Sequence, residues 1–176
     1  MSQVTLDTFQ KAVISHFEPI ARELGKPLIR SKPDLYEIFS QDFVMRIRFH
    51  VGAHTKSINA TLTPTNQRLD DVDSGATEKG ELGVAVIAGY NGIPIEYIPW
   101  EGTEEGFLGQ TQYVANMARQ YGLPYLLGKK SDWNSVKEYI EEQIKERAEE
   151  IKQYKFLPGV QKRWNLPPPQ GEDKKI

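Results

Sequence analysis

Between Phe43 and Val51 the side chains follow a period of two, and few folds can accommodate such a run. In an extended strand Phe43, Met45, Ile47, Phe49 and Val51 share one side, while Val44, Arg46, Arg48 and His50 share the other. A helix would scatter both sets around its axis. The run therefore predicts a strand with one apolar and one mostly polar side, in a sheet covered from one direction.

The neighbouring segments repeat the pattern. Leu35–Ser40, with Asp42 in the gap, predicts an adjoining strand. After a turn at Gly52-Ala-His54, Lys56–Thr63 places Ile58, Ala60 and Leu62 on the apolar side. These three runs predict an antiparallel meander. Further on, Leu82–Tyr90 and Ile93–Trp100 flank Asn91-Gly92, a dipeptide suited to the two positive φ angles of a type I′ turn. A second hairpin is expected there, with Pro94 and Pro99 making its far arm an edge strand.

Helical periodicity frames the sheet. Leu6, Phe9, Val13, Phe17, Ile20 and Leu24 form one stripe, with Asp7 and Gln10 spaced as a capping box and Gly25 placed to end the helix. Pro19 predicts a kink or break in it. Thr103 can cap a second helix, with Glu104 and Glu105 in its first turn and Phe107, Thr111, Val114, Ala118 and Tyr121 as its stripe. Gly122 and Pro124 are expected to stop it. A third helix, starting near Ser131 or Asp132, is expected to bury Trp133, Val136, Ile140, Ile144, Ala148 and Ile151. The fold these elements predict is a two-layer α+β sandwich. It has one antiparallel sheet of four to five strands, with the N-terminal helix and two C-terminal helices packed on one face. Residues 1–157 are expected to form a single domain that includes a long acidic loop at 64–80, and 158–176 a Pro-rich, charged tail.

Composition narrows the chemistry. The 176 residues contain no cysteine, which removes disulfides, thiolate metal sites and a cysteine nucleophile. With 22 basic and 24 acidic residues the formal net charge is −2, so a nucleic-acid partner is not expected. The N-terminus lacks a secretory pattern and no apolar run approaches the ~20 residues of a membrane span, so a cytoplasmic protein off the membrane is expected. No P-loop, dinucleotide fingerprint, nucleophile elbow or His-Glu-x-x-His motif occurs. Neither a cofactor nor enzymatic activity is therefore expected.

Two segments remain as candidate contact surfaces. Arg46, Arg48 and His50 line the polar strand side, with Ser57, Asn59 and Thr61 beside them, and guanidinium groups bind carboxylates and phosphates in bidentate fashion. The acidic loop offers Asp70, Asp71 and Asp73. Asp70, Gly75 and Glu81 fall at the first, sixth and twelfth places of a calcium loop, but Val72 stands at the third, so a solvated loop is the better reading. His50 and His54 straddle a strand end and a turn, where their spacing has no ligand geometry. The leading expectation is a non-enzymatic domain that binds another protein. The alternatives are a small-ligand site or unrecognised enzyme pocket between sheet and helices, and weak nucleic-acid binding through Arg46 and Arg48.

The stretch Asp42-Phe-Val-Met-Arg-Ile-Arg-Phe49, and the junction Tyr121-Gly-Leu-Pro-Tyr-Leu-Leu-Gly128 leading into Trp133 and Tyr139-Ile140, resemble small uncharacterised bacterial α+β domains. Some of those are immunity-protein-like. The resemblance implies a partner toxin whose surface the protein covers, and it assigns no functional residues.

Overall fold

The computed structural model describes residues 4–51, 56–65, 80–93 and 103–154. The chain divides into two units, residues 1–133 and 134–176. The first contains a five-stranded antiparallel sheet in sequential order: β1 (Ile29–Lys32), β2 (Leu35–Phe39), β3 (Phe43–Val51), β4 (Lys56–Pro64) and β5 (Leu82–Gly83). Against one face lie α1 (Leu6–Leu24), α2 (Val84–Tyr90), α3 (Glu104–Met117) and α4 (Leu123–Leu126). The α+β architecture is the one the alternation predicts. None of the described helices is long and apolar enough to cross a membrane.

The odd side of β3 forms the centre of the core. Met45 and Ile47 are fully buried, as are Ile38 on β2 and Ala60 and Leu62 on β4. The register places them together: Ile38↔Met45, Met45↔Leu62 and Ile47↔Ala60. Aromatic clusters close both ends of the strand. Phe49 stacks on Phe9 of α1 at 5.2 Å and meets Phe107 of α3 edge-on at 5.8 Å. At the other end Phe43, Tyr125 and Trp133 make three edge-to-face contacts with centroids 4.9–5.6 Å apart. Each such pair adds ~0.5–1.5 kcal/mol beyond its area. Val51, expected inward, is 61% exposed at the strand's end.

α1 departs from expectation at both its cap and its proline. The cap is Thr5, which accepts from the Thr8 amide while Thr8 returns a bond to the Thr5 amide, so Asp7 and Gln10 are not the pair. The helix then runs unbroken through Pro19 to Gly25, whose φ of 70° ends it. Pro19 and Ser15 are both exposed, so the helix loses a hydrogen bond on its solvent side, while Phe17, Ile20 and Ala21 are held in the core.

The first arm of the expected hairpin, Leu82–Tyr90, is mostly helix. Only Leu82 and Gly83 pair with β4, and α2 then places Val84, Ile87 and Ala88 on one buried side. Asn91 ends the helix, its side-chain amide donating to the Ile87 carbonyl at 2.8 Å. Gly92 has φ of 79° but Asn91 has −85°, so the two positive angles of a type I′ turn are absent. Residues 94–100 lie outside the described residues.

Gly122 and Pro124 do not stop the chain's helical course; they widen it. Pro124 has no amide to offer the Gln120 carbonyl, and residues Ala118–Gly122 form a π turn in which Leu123 donates to Ala118 instead. The wider turn presses the backbone of Gly122 onto the sheet. A β-carbon there would lie 2.8 Å from Met45 Cε and 3.2 Å from Leu62 Cδ1, both on fully buried side chains.

The helix α5 (Trp133–Tyr154) contradicts part of its expected stripe. Trp133 and Val136 are buried, but every residue from Glu141 to Glu150 is exposed, Ile144 at 63% and Ala148 with it.

Two outcomes test this packing. Gly122→Ala should lower stability by about 1–2 kcal/mol in urea denaturation, because crowding of Met45 and Leu62 outweighs the gain in helix propensity. An unchanged midpoint would show that the π turn stands off the sheet. The second concerns Tyr125, whose hydroxyl donates to Asp132 Oδ1 at 2.7 Å. Burial, then the adjacent carboxylate, push this phenol well above its ordinary range. The folded state keeps a proton that the unfolded chain releases above pH ~10, so stability present below that pH declines as pH rises. Tyr125→Phe should make the alkaline decline shallower.

Candidate functional site

The second face of the sheet carries a polar row whose position follows from strand register. β2 and β3 are joined by a short turn in which Ser40 bonds Phe43, and this pairs Phe39 with Val44 and Glu37 with Arg46. On the other side Arg46 lies opposite Thr61, and Arg48 opposite Asn59. Each pair projects to the same side of the sheet.

Within this row the expected solvent-exposed arginine is interred. Arg46 is 4% exposed, a correction to the reading of this face as uniformly wet. Its Nε donates to Glu37 Oε1 at 3.0 Å and its Nη1 to Thr63 Oγ1 at 3.3 Å. Glu37 also accepts from the Ser31 hydroxyl of β1, so one carboxylate ties three strands together. Val44, Thr61 and Thr63 are buried alongside. A guanidinium group can enter this environment because a carboxylate within hydrogen-bonding distance compensates for its lost water.

One step along the strand the face opens. Arg48 Nη1 donates to Glu81 Oε2 at 3.3 Å, and the Thr61 hydroxyl donates to the other oxygen of the same carboxylate. The Arg48 side chain is 41% exposed whereas that of Glu81 is 8% exposed. His50 and Asn59 are exposed and Ser57 is half-buried. The structure thus brings Arg48, His50 and Asn59 together at one end of the face and removes Arg46 from it. Asp70, Asp71 and Asp73 lie outside the described residues, as does His54. Glu81, the last place of the calcium-like spacing, is engaged by Arg48 and Thr61.

Two functional side chains escaped the sequence reading. Glu37 could have been found, since a tight turn at Ser40–Asp42 already sets it opposite Arg46. Glu81 could not, because nothing local links it to β3 or β4. Chemically the row is self-neutralised, each guanidinium group facing its own carboxylate. An anion site would need both arginines open to the ligand, and a phosphate reading now has one accessible cation where it needs two. Among the described residues no three His, Asp or Glu side chains gather as a metal set.

Comparison with protein-family models, with curated proteins and with solved structures found no match to this chain.

The buried pair makes a sharp prediction. Glu37→Ala should destabilise by about 3–5 kcal/mol, because it leaves Arg46 charged and buried without its carboxylate. Replacing both partners by apolar residues (Arg46→Met with Glu37→Leu) should recover most of that loss in the same denaturation measurement. If the double variant were as unstable as the single one, the ion pair would not be the cause.

Proposed function

We propose that this chain is a non-enzymatic protein-binding domain whose contact surface is the exposed end of the polar sheet face, at Arg48, His50 and Asn59. One observation carries the reading. Arg48 is anchored by Glu81 yet 41% exposed, so it is presented to solvent in a held orientation beside exposed His50 and Asn59. A side chain already ordered before binding loses less entropy when a partner closes over it. A rigid strand as its base adds to this, since side chains on sheets are positioned more accurately than those on loops.

The rest of the charged machinery supports a structural rather than catalytic assignment. Arg46 and Glu37 neutralise each other in the interior, which is the arrangement of a strand-positioning pair and not of an acid and base presented to a substrate. A domain that covers another protein's surface, as the immunity-like resemblance implies, needs a polar, preformed patch of this kind.

The test is site-specific photo-crosslinking in the native host. A crosslinker at Asn59 should yield a discrete protein adduct, and Arg48→Glu should abolish it. A crosslinker at Lys11, on the exposed side of α1, should yield none. Equal adducts from both positions, or none from Asn59, would overturn the proposal.

A further inference from the structure

The outer edge of β1 and the residues flanking it concentrate three exposed cations. Several exposed cations are matched by carboxylates: Lys11 by Asp7, Arg22 by Glu18, Arg119 by Glu23, Lys130 by Asp132 and Lys152 by Glu149. Residues 26–33, Lys-Pro-Leu-Ile-Arg-Ser-Lys-Pro, carry three cations and no acid. Among the described residues no carboxylate pairs with Lys26, Arg30 or Lys32. Arg30 is held by neutral groups, donating to Gln10 Oε1 at 3.0 Å and to the Pro33 carbonyl at 3.3 Å, with its guanidinium 5.9 Å above the Tyr36 ring. Its charge is positioned but not neutralised.

The backbone at this edge is open as well. Ladder bonds alternate, and β2 spends the amides of Tyr36 and Ile38 on β3, so Ile29 is bonded to Glu37 while the Arg30 amide and carbonyl point outward. All four residues of β1 are exposed. The two sides of the β1 edge also differ in character. Arg30 projects toward the helix side, whereas Ile29, 41% exposed, shares the opposite side with Phe39, 42% exposed.

We propose that the β1 edge receives an extended acidic segment of a partner protein, added as a sixth strand. Its acidic side chains face Arg30, its apolar side chains face Ile29 and Phe39, and Lys32, opposite Leu35, lies at the end of the apolar side. Strand addition supplies main-chain hydrogen bonds for affinity and alternating side chains for selectivity. Lysine and proline at an edge discourage pairing with uncharged strands. The same residues favour an acidic one, whose charges turn that repulsion into attraction. The bulge between Arg30 and Lys32 limits the pairing to a short length, as suits a transient contact. This edge lies two strands from Arg48 on the same sheet, and the strand addition requires none of Arg48, His50 and Asn59.

The experiment titrates the full chain, isotopically labelled, with a short capped peptide of alternating valine and glutamate. A peptide with lysine in place of glutamate serves as control. The expected result is perturbation confined to residues 26–33 and 36–39, with slowed hydrogen exchange at the Arg30 amide. Affinity should fall about tenfold in the variant Arg30→Glu with Lys32→Glu, whose fold is checked by circular dichroism. Equal binding of the lysine peptide, equal binding by the variant, perturbation mapping elsewhere, or no binding at low salt would each overturn it. Confinement of the perturbation to residues 26–33 and 36–39, away from His50 and Asn59, separates this surface from the other.

Discussion

Everything in this structure depends on removing the odd side of β3 from water. Met45 and Ile47 are fully buried, with Phe43 and Phe49 closing the ends under aromatic clusters. Burying a side chain of this size contributes ~1.5–3 kcal/mol, and four in one strand set where the helices must lie. α1 reaches this surface through Phe9 and α3 through Phe107. The π turn then brings the chain close enough for Gly122 to sit against Met45 and Leu62. A helical course widened before proline and seated by glycine thus accompanies the close covering of the strand.

The other side of the same strand solves a different problem. It carries charge, and part of it is nevertheless withdrawn from solvent. Glu37 makes this possible for Arg46, and Glu81 does similar work for Arg48 while leaving that side chain half-exposed. A slip of one residue would bury a guanidinium group away from its carboxylate, so the pairs oppose any other strand register. Function, in the reading given above, falls to side chains that the fold holds but does not consume. Arg48, with His50 and Asn59, is one such group, and the unneutralised cations of β1 are another.

The meander was legible because a period of two has only one structural meaning over nine residues, and the strands at Leu35 and Lys56 share it. The short turn at Ser40–Asp42 even encodes the Glu37–Arg46 pairing. Other features resisted reading for identifiable reasons. Leu82–Tyr90 is apolar throughout, and a run of that kind fits a buried strand or a buried helix equally. Its Asn-Gly terminus serves a helix end as readily as a hairpin. Pro19 failed to break α1 because the tertiary grip on Phe17, Ile20 and Ala21 exceeds the loss of one hydrogen bond on the helix's solvent side. In α5 the apolar spacing through Ile144 and Ala148 marked a side that a helix could bury, yet those residues are exposed. That helix carries its own support, in pairs such as Gln143 with Glu146 and Lys152 with Glu149.

By itself the sequence determined the class of fold, the direction each β3 side chain takes, and the absence of cysteine chemistry. These follow from local periodicity and composition, which need no knowledge of distant residues. The burial of Arg46, the capture of Arg48 by Glu81 from 33 residues away, and the close seat of Gly122 were decided only by tertiary structure. Each depends on groups far apart in the chain arriving within a few ångströms, and the free energy of a buried charge or a crowded methyl is set by those neighbours alone.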